Sequence, residues 1–476
     1  MTKEQTKIEV EDVSIDTAEE VVEERQVDDE VDEGRRRSSA PVHWMVILLR
    51  IFCGVVFIFS GFVKAIDPWG GFYKFQEYFQ ALGLDGLMGS SLFCAFAIGI
   101  VELMLGVALF VGAYRRGAPL LALAMMAVML PLTFYLAVTD AVPDCGCFGD
   151  ALPLSNWMTF LKNVVIAAAL VLLLLNNRKV PCLFGPAVQW ILMLLTFIFG
   201  LAIALLGYFY QPLIDFRPFK VGTKLEVLPA QGVSDDDYVF IYSKDGVEKE
   251  FSMDSVPDEE DGWEYVERRS TKQELTPAQR FAGQSISVLD EGDDVTAQVL
   301  DPERRQLLFL FPDLPNVSIS YTFAINELND FARVQDIDVY GLTSATNKQM
   351  DEWNDISLAS YPLYMVDDSD LKMLARGNPA VVFVDHGEVK WKRTLSSLNP
   401  RVTEQPDLTV DKMSDDFKPR ILLNTLIVLY LISIVALFLL NRGYRAIAMM
   451  LPKKDKTTVP VEAEDTTPVP DEEEEA

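Results

Sequence analysis

The chain has 476 residues, half of them hydrophobic, and a formal net charge of −29 at pH 7. The length exceeds one ordinary domain, and apolar content combined with acidity predicts membrane spans joined to acidic soluble parts. The acidic balance excludes nucleic-acid binding, which needs a basic surface to displace counterions; five cysteines are too few for a disulfide-built scaffold.

Residues 1–40, rich in Glu and Asp, read as a disordered cytoplasmic tail. The first apolar run begins near Val42, behind Arg35-Arg36-Arg37, so no cleavable signal peptide is expected. Six apolar stretches follow, near 43–65, 91–113, 118–138, 157–176, 187–209 and 419–441. Each is about 20 residues long, enough to cross a hydrocarbon core of about 30 Å. Arg35–Arg37, Arg115-Arg116, Arg178-Lys179 and the group Arg442, Arg445, Lys453 and Lys454 fall on one side if every span crosses. The positive-inside rule makes that side cytoplasmic. Both termini are then cytoplasmic in an inner-membrane protein, with 210–418 outside; 442–476 forms a second acidic tail.

Ionisable residues inside spans are expensive and therefore informative. Glu102 lies near the middle of the second span, Arg50 about two turns into the first, and Lys64 at the first span's outer end. Lys162, followed by Asn163, lies just over a turn into the fourth. In depth, Glu102 is within reach of Arg50 or Lys162. Such a pair either fixes helix register or forms a proton relay or polar pocket. Gly54, Gly61, Gly99 and Gly106 offer small faces for close helix contact.

Between the third and fourth spans runs Pro143-Asp144-Cys145-Gly146-Cys147-Phe148-Gly149-Asp150, with no Lys or Arg, so it should face outward. Two thiols one residue apart can form a strained, exchange-active disulfide, ligate a soft metal, or sit in a turn. Asp144 and Asp150 would raise the thiol pKa values, and Lys64 or Lys162 would offset them if close. Cys94 is the one spare thiol near the outer face; Cys53 and Cys182 lie deeper or toward the inner side. Two histidines far apart, His43 and His386, argue against a histidine-based metal site, and two thiols supply half a site at best.

Within the large outward segment, 210–284 reads as a strap, Asp215–Gly222, and a β-rich lead-in with a hairpin at Asp245-Gly246. The acidic run Asp258–Asp261 reads as a loop. From 285 to 418 the order is strand Leu307–Phe311, helix Ile325–Val334, strand Val339–Leu342 and helix Asn347–Asn354. Strand Ala380–Val384 follows, and His386-Gly387 turns into Glu388–Lys392. This pattern predicts a three-layer α/β unit.

Two resemblances follow. Arg50, Gly54-Val55-Val56-Phe57, Ser60–Lys64, Asp67-Pro68 and Tyr78 belong to the first. With them go Glu102, Gly106, Cys145-Gly146-Cys147-Phe148-Gly149, Trp157 and Lys162-Asn163. Over roughly 44–176 these resemble the DoxX/MauE group, with a four-helix membrane domain expected over 41–180. That resemblance implies disulfide formation in an exported enzyme (the methylamine-utilisation branch) or quinone-coupled redox chemistry, with Cys145 and Cys147 as the redox pair. A quinone would then be the electron acceptor, and Glu102 and Lys64 would be the group's polar residues. The second concerns Asn378-Pro379 before the Ala380 strand, which resembles the cis-proline approach of thioredoxin-like domains. Where that family carries Cys-x-x-Cys, this chain has Phe311-Pro312-Asp313-Leu314-Pro315-Asn316, and no cysteine follows Cys182. The outer domain therefore performs no dithiol exchange itself. Its expected role is binding an exported or envelope protein at Asn378 and Pro379.

The preferred expectation is a multi-domain membrane protein in thiol–disulfide handling, built from a helical bundle and an α/β domain. The alternative is a non-enzymatic envelope scaffold whose outer domain binds a partner protein. A permease using Glu102 and Arg50 has little support, because no repeat or pair of broken helices is present.

Overall fold

The structure is a computed structural model that describes residues 43–142, 146, 148–152, 154–177, 181–225, 238–244, 247–252, 263–270, 286–398 and 408–450. The tail 1–40, the second tail beyond Met450, Arg178-Lys179, Cys145, Cys147, Asp245-Gly246 and Asp258–Asp261 lie outside the described residues; residues 442–450, expected in that second tail, instead continue the last helix.

Six described helices are long and apolar enough to cross a membrane, and they fall where the apolar stretches predict them. They are α1 (His43–Ile66), α3 (Ser91–Val111, prolonged at its start from Asp85), α4 (Gly117–Thr139), α5 (Asn156–Leu175), α6 (Pro186–Phe209) and α10 (Pro419–Met450). Between α1 and α3 lies α2 (Pro68–Ala81), which sequence reading did not anticipate as a separate helix. Its 14 residues reach only about 21 Å, too short to span. Its start is written locally: Asp67 caps it by accepting from the Gly70 amide at 2.9 Å, and Pro68 occupies the first helical position.

Glycines set the distance between α1 and α3. A Cβ on Gly61 would stand 2.2 Å from the Leu103 amide nitrogen, and one on Gly106 would stand 2.3 Å from that of Ile58. The two backbones approach so closely that no larger side chain fits. α4 packs along α5, and α6 lies against both α3 and α10. α10 exposes nearly all of its span.

Among the described residues, the segment between α6 and α10 holds two sheets. Strands β1 (Tyr238–Lys244), β2 (Val247–Ser252) and β3 (Glu264–Ser270) form an antiparallel sheet of order β2-β1-β3. The larger mixed sheet has the order β10-β9-β6-β7-β8-β4-β5. Its members are β4 (Val288–Asp290), β5 (Asp293–Asp294), β6 (Arg305–Phe311), β7 (Asp338–Thr343), β8 (Leu363–Val366), β9 (Ala380–Asp385) and β10 (Glu388–Thr394). β6, β7 and β8 run parallel, while β9 is antiparallel to β6.

The run Leu307-Leu308-Phe309-Leu310-Phe311 is buried on both faces, as a central strand requires. Leu307, Phe309 and Phe311 meet Ile325 and Leu328 of α7 (Thr322–Val334) and Trp353 of α8 (Asn347–Ser357). Leu308 and Leu310 face the opposite layer, made by Leu371 and Leu374 of α9 (Asp368–Leu374) and by Phe219 of the strap. The strap pairs along the β10 edge: the Gly222 amide donates to the Val389 carbonyl at 2.8 Å, and the Val389 amide to the Thr223 carbonyl at 3.0 Å. An otherwise open edge is thus covered.

Gly61→Ala or Gly106→Ala should destabilise the bundle by about 1–3 kcal/mol through overpacking. Gly89→Ala should be silent, since nothing lies within 4 Å of a Cβ there. Thermal melting of the purified protein in detergent checks both.

Candidate functional site at the junction of bundle and domain

The site forms where the α/β domain meets one end of the bundle. Arg376 follows α9 and precedes Gly377, whose φ of 112° favours glycine, and the cis peptide Asn378–Pro379. Its side chain is almost fully buried. Nη2 lies 2.8 Å from Asp67 Oδ2 and 2.6 Å from Asp150 Oδ2, Nε donates to Asp67 at 2.9 Å, and Nη1 donates to the Lys372 carbonyl at 2.7 Å. Gln211 holds the Arg376 backbone from both sides, donating to its carbonyl at 2.6 Å and accepting from its amide at 3.1 Å. Burial opposes the guanidinium's charge, but Asp67 and Asp150 outweigh it and hold its pKa above the ordinary arginine range. A Cβ on Gly70 would come within 3.0 Å of Arg376 Nη2, so that glycine leaves room for the pair.

A second buried cluster supports the first. Asp215 of the strap binds Arg217 at 2.7 Å and Lys392 of β10 at 3.2 Å. Burial raises the Asp215 carboxyl, yet the two cations more than reverse this and hold it below the usual range. Arg217 Nη1 donates at 3.3 Å to the same Lys372 carbonyl that Arg376 uses, so two cations cap the C-terminal end of α9.

Between bundle and domain lies a cavity of about 560 Å³. Lys64, Lys74, Met129, Gly146, Asp150 and Arg376 are among its lining residues. One wall reaches Val128, which is exposed on α4, so the space extends to the apolar flank of the bundle. Gly146 has a φ of 56°, and its missing Cβ would lie 3.1 Å from Lys74 Cγ. The glycine between the two cysteines thus meets a backbone constraint and a packing constraint at once. Cys145 and Cys147 themselves lie outside the described residues, whereas the residues beside them are seated. Phe148 packs on Phe59 at 5.3 Å between ring centres, and Lys162 Nζ lies 4.1 Å above the Phe148 ring.

Deeper in the bundle, Glu102 is paired with Lys64, with Nζ to Oε1 at 2.6 Å, and Ser60 donates to Oε2 at 2.6 Å. Neither partner expected from depth, Arg50 or Lys162, makes this pair. Arg50 donates instead to the Pro181 carbonyl at 2.6 Å, near Cys182 and Gly112 at the opposite end of the bundle. Lys162 and Asn163 join Glu102, Ser60 and Lys64 around a cavity of about 20 Å³, room for one water. Lys64 lines both this small cavity and the large one, as a wall they share.

Asn378 is tied to the loop after β6: its Nδ2 donates to the Asp313 carbonyl at 2.7 Å and its Oδ1 accepts from the Asp313 amide at 3.3 Å. Pro379 is buried. Cys94 sits in the first turn of α3, its Sγ 4.0 Å from Ser90 Oγ. Sequence reasoning passed over Arg376 and Lys74. Asp67-Pro68 entered only as part of the DoxX/MauE resemblance, and nothing in the sequence paired Asp67 with a residue 309 positions away.

Residues 42–176 match the family described as methylamine utilisation protein MauE, so this part of the chain is MauE-like and membrane-spanning. Residues 237–274 match a domain of unknown function, DUF8463. No curated protein and no solved structure matches the chain.

Arg376→Ala would remove the guanidinium that Asp67 and Asp150 share. The loss should be about 3 kcal/mol, the low end for a broken buried pair because Asp150 is partly exposed. Faster proteolytic release of the α/β domain would accompany it; Arg376→Lys should fall between, having charge without the fork. For Lys392, burial lowers the ammonium from its ordinary 10.5 to about 7 despite Asp215. Between those values the unfolded chain holds more protons, so this residue makes stability rise with pH. Lys392→Met should flatten that rise, as read by melting temperature from neutral to alkaline pH.

Proposed function

We propose that this protein handles thiols of exported polypeptides at the outer face of a cytoplasmic membrane, using Cys145 and Cys147. The α/β domain is read as thioredoxin-like without its own thiols. A parallel β6-β7 pair, β9 antiparallel to β6, and a cis Asn378–Pro379 at the start of β9 support that reading. The orientation rests on charge: Arg115-Arg116 and Arg442 stand at the bundle end away from the domain, while Asp140 and Asp150 stand at the domain end.

The observation that carries the proposal is Arg376. It inserts the loop before the cis-proline between Asp67, at the end of α1, and Asp150, three residues after Cys147. Arg376, two residues before Asn378, then borders one cavity with Gly146, Gly149 and Asp150 of the cysteine loop. In the reaction, a client thiolate attacks the Cys145–Cys147 disulfide and forms a mixed disulfide. The client's second thiol resolves it, leaving an oxidised client and two reduced cysteines. Two electrons and two protons must then pass to an acceptor. A lipid-soluble quinone, becoming a quinol, suits a mainly apolar cavity that reaches the bundle flank at Val128.

One observation favours the second reading, an envelope scaffold: Pro379 is buried and Asn378 is bonded to the Asp313 backbone, as in a structural corner of the domain. Deleting residues 215–415 separates the two, because thiol chemistry should persist in part from the bundle, whereas a scaffold would lose its partner.

The direct test is mass-shift alkylation of Cys145 and Cys147 in membranes under oxidising and reducing conditions. The pair should cycle, and Cys145→Ser should lower disulfide formation in exported proteins. A pair that stays reduced throughout would sink the proposal.

A further inference from the structure

The end of the bundle away from the α/β domain carries cations and, among the described residues, no acid to pair with them. The chain has no Asp or Glu between Glu102 and Asp140, between Asp150 and Asp215, or between Asp416 and Asp455. At that end Arg50 is met by the Pro181 carbonyl, and Arg116 donates to Asn177 Oδ1 at 3.3 Å. Arg445, near the end of α10, is placed differently: its guanidinium lies over the start of α6. A Cβ on Gly185 would stand 2.8 Å from Arg445 Nη2 and 3.2 Å from its Nε. Gly185 is the N-cap of α6, Pro186 follows it, and no side chain caps the helix. The start of a helix carries partial positive charge, so a cation set against it is repelled. Asn441, one turn before Arg445, is only 6 % exposed, and its Oδ1 lies 3.0 Å from the same Cβ position. Its side-chain amide has no hydrogen-bond partner among the described residues, which is costly for a buried polar group. An uncapped helix start, a buried amide and an arginine fork thus converge on one point, and an anion there satisfies all three.

The depth identifies the kind of anion. Trp44, Trp190 and Tyr444 are each more than half exposed at this end of the bundle. Trp and Tyr gather where a bilayer's hydrocarbon gives way to headgroups. α10 exposes nearly all of its span, and Leu440, immediately before Asn441, is 72 % exposed. We propose that the seam between the start of α6 and the end of α10 binds the phosphate of an anionic phospholipid. The Arg445 fork meets the phosphate oxygens, Asn441 and the start of α6 donate to them, and the acyl chains lie along the apolar face of α10. A soluble phosphate offers the same oxygens but nothing for that apolar face. This inference is independent of any thiol chemistry.

The test is native mass spectrometry of the full-length protein in detergent micelles with equal amounts of phosphatidylglycerol and phosphatidylcholine. Phosphatidylglycerol should be retained several-fold more than phosphatidylcholine. Arg445→Gln should bring the two to equal retention, and Arg445→Lys should keep part of the preference. Gly185→Ala changes no charge, yet should weaken the preference by pushing the Arg445 fork off the helix start. Arg116→Gln, at the same end but joined to Asn177, should leave it unaltered. No preference in the native chain, or equal losses in Arg116→Gln and Arg445→Gln, would overturn the inference in favour of general attraction to a basic end. Millimolar inorganic phosphate should not displace the lipid; displacement would overturn the lipid assignment and give the site to a free anion. A preference that emerges only when Glu472, Glu473, Glu474 and Glu475 are changed to Gln would also overturn it, with the acidic tail as the occupant. Arg445 is exposed, so its variants should melt as the native chain does, and lost retention then reports on binding.

Discussion

A guanidinium buried between two carboxylates from distant parts of the chain organises this molecule. Taking Arg376 out of water is costly, and Asp67, Asp150 and the Lys372 carbonyl together offset that cost. Because the partners belong to the end of α1 and to the cysteine loop, satisfying one side chain fixes three segments together. The fork geometry of arginine matters here, since a point charge on a flexible stem could not meet two carboxylates and a carbonyl in one plane.

Other junction contacts act in the same sense. Arg393, fully buried, lies about 5 Å from the rings of Tyr210 and Phe417 and binds Asp416 at 2.8 Å. Tyr210 follows α6 and Phe417 precedes α10, so this cation joins the two chain crossings between membrane and domain. The Thr394 amide donates to the Tyr210 carbonyl at 3.1 Å and continues that join. A domain held by arginines at two separate points, each buried, has little freedom to rotate over the cavity. That rigidity is what a shared binding space between two modules requires.

Legibility in the sequence differed sharply between elements. The six spans were readable because hydropathy over 20 residues is a local property that the bilayer reads directly. The strands Leu307–Phe311 and Ala380–Val384 were readable from unbroken apolar runs. β8 and α9 were not: Leu363–Val366 is short, and its neighbours carry charges that mask the pattern. α2 was missed because its Trp, Tyr and Phe positions mix with polar ones and its 14 residues are too few for a span. For the candidate site, Glu102, Lys64, Lys162 and the Cys145–Cys147 loop stood out as residue types out of place. Arg376 and Lys74 did not, since cations in soluble-looking or amphipathic segments are ordinary.

The sequence by itself determined how many times the chain can cross a bilayer and that the α/β unit contains no thiol. Those properties depend on composition within short windows and on counting. Tertiary structure alone decided that Glu102 pairs with Lys64 and not with Arg50, and that Arg376 closes on Asp67 and Asp150. It also decided that the glycine between two cysteines rests on Lys74. Pairings of this kind depend on which helices are neighbours and how far each side chain reaches, and contacts between residues hundreds of positions apart leave no trace in local pattern.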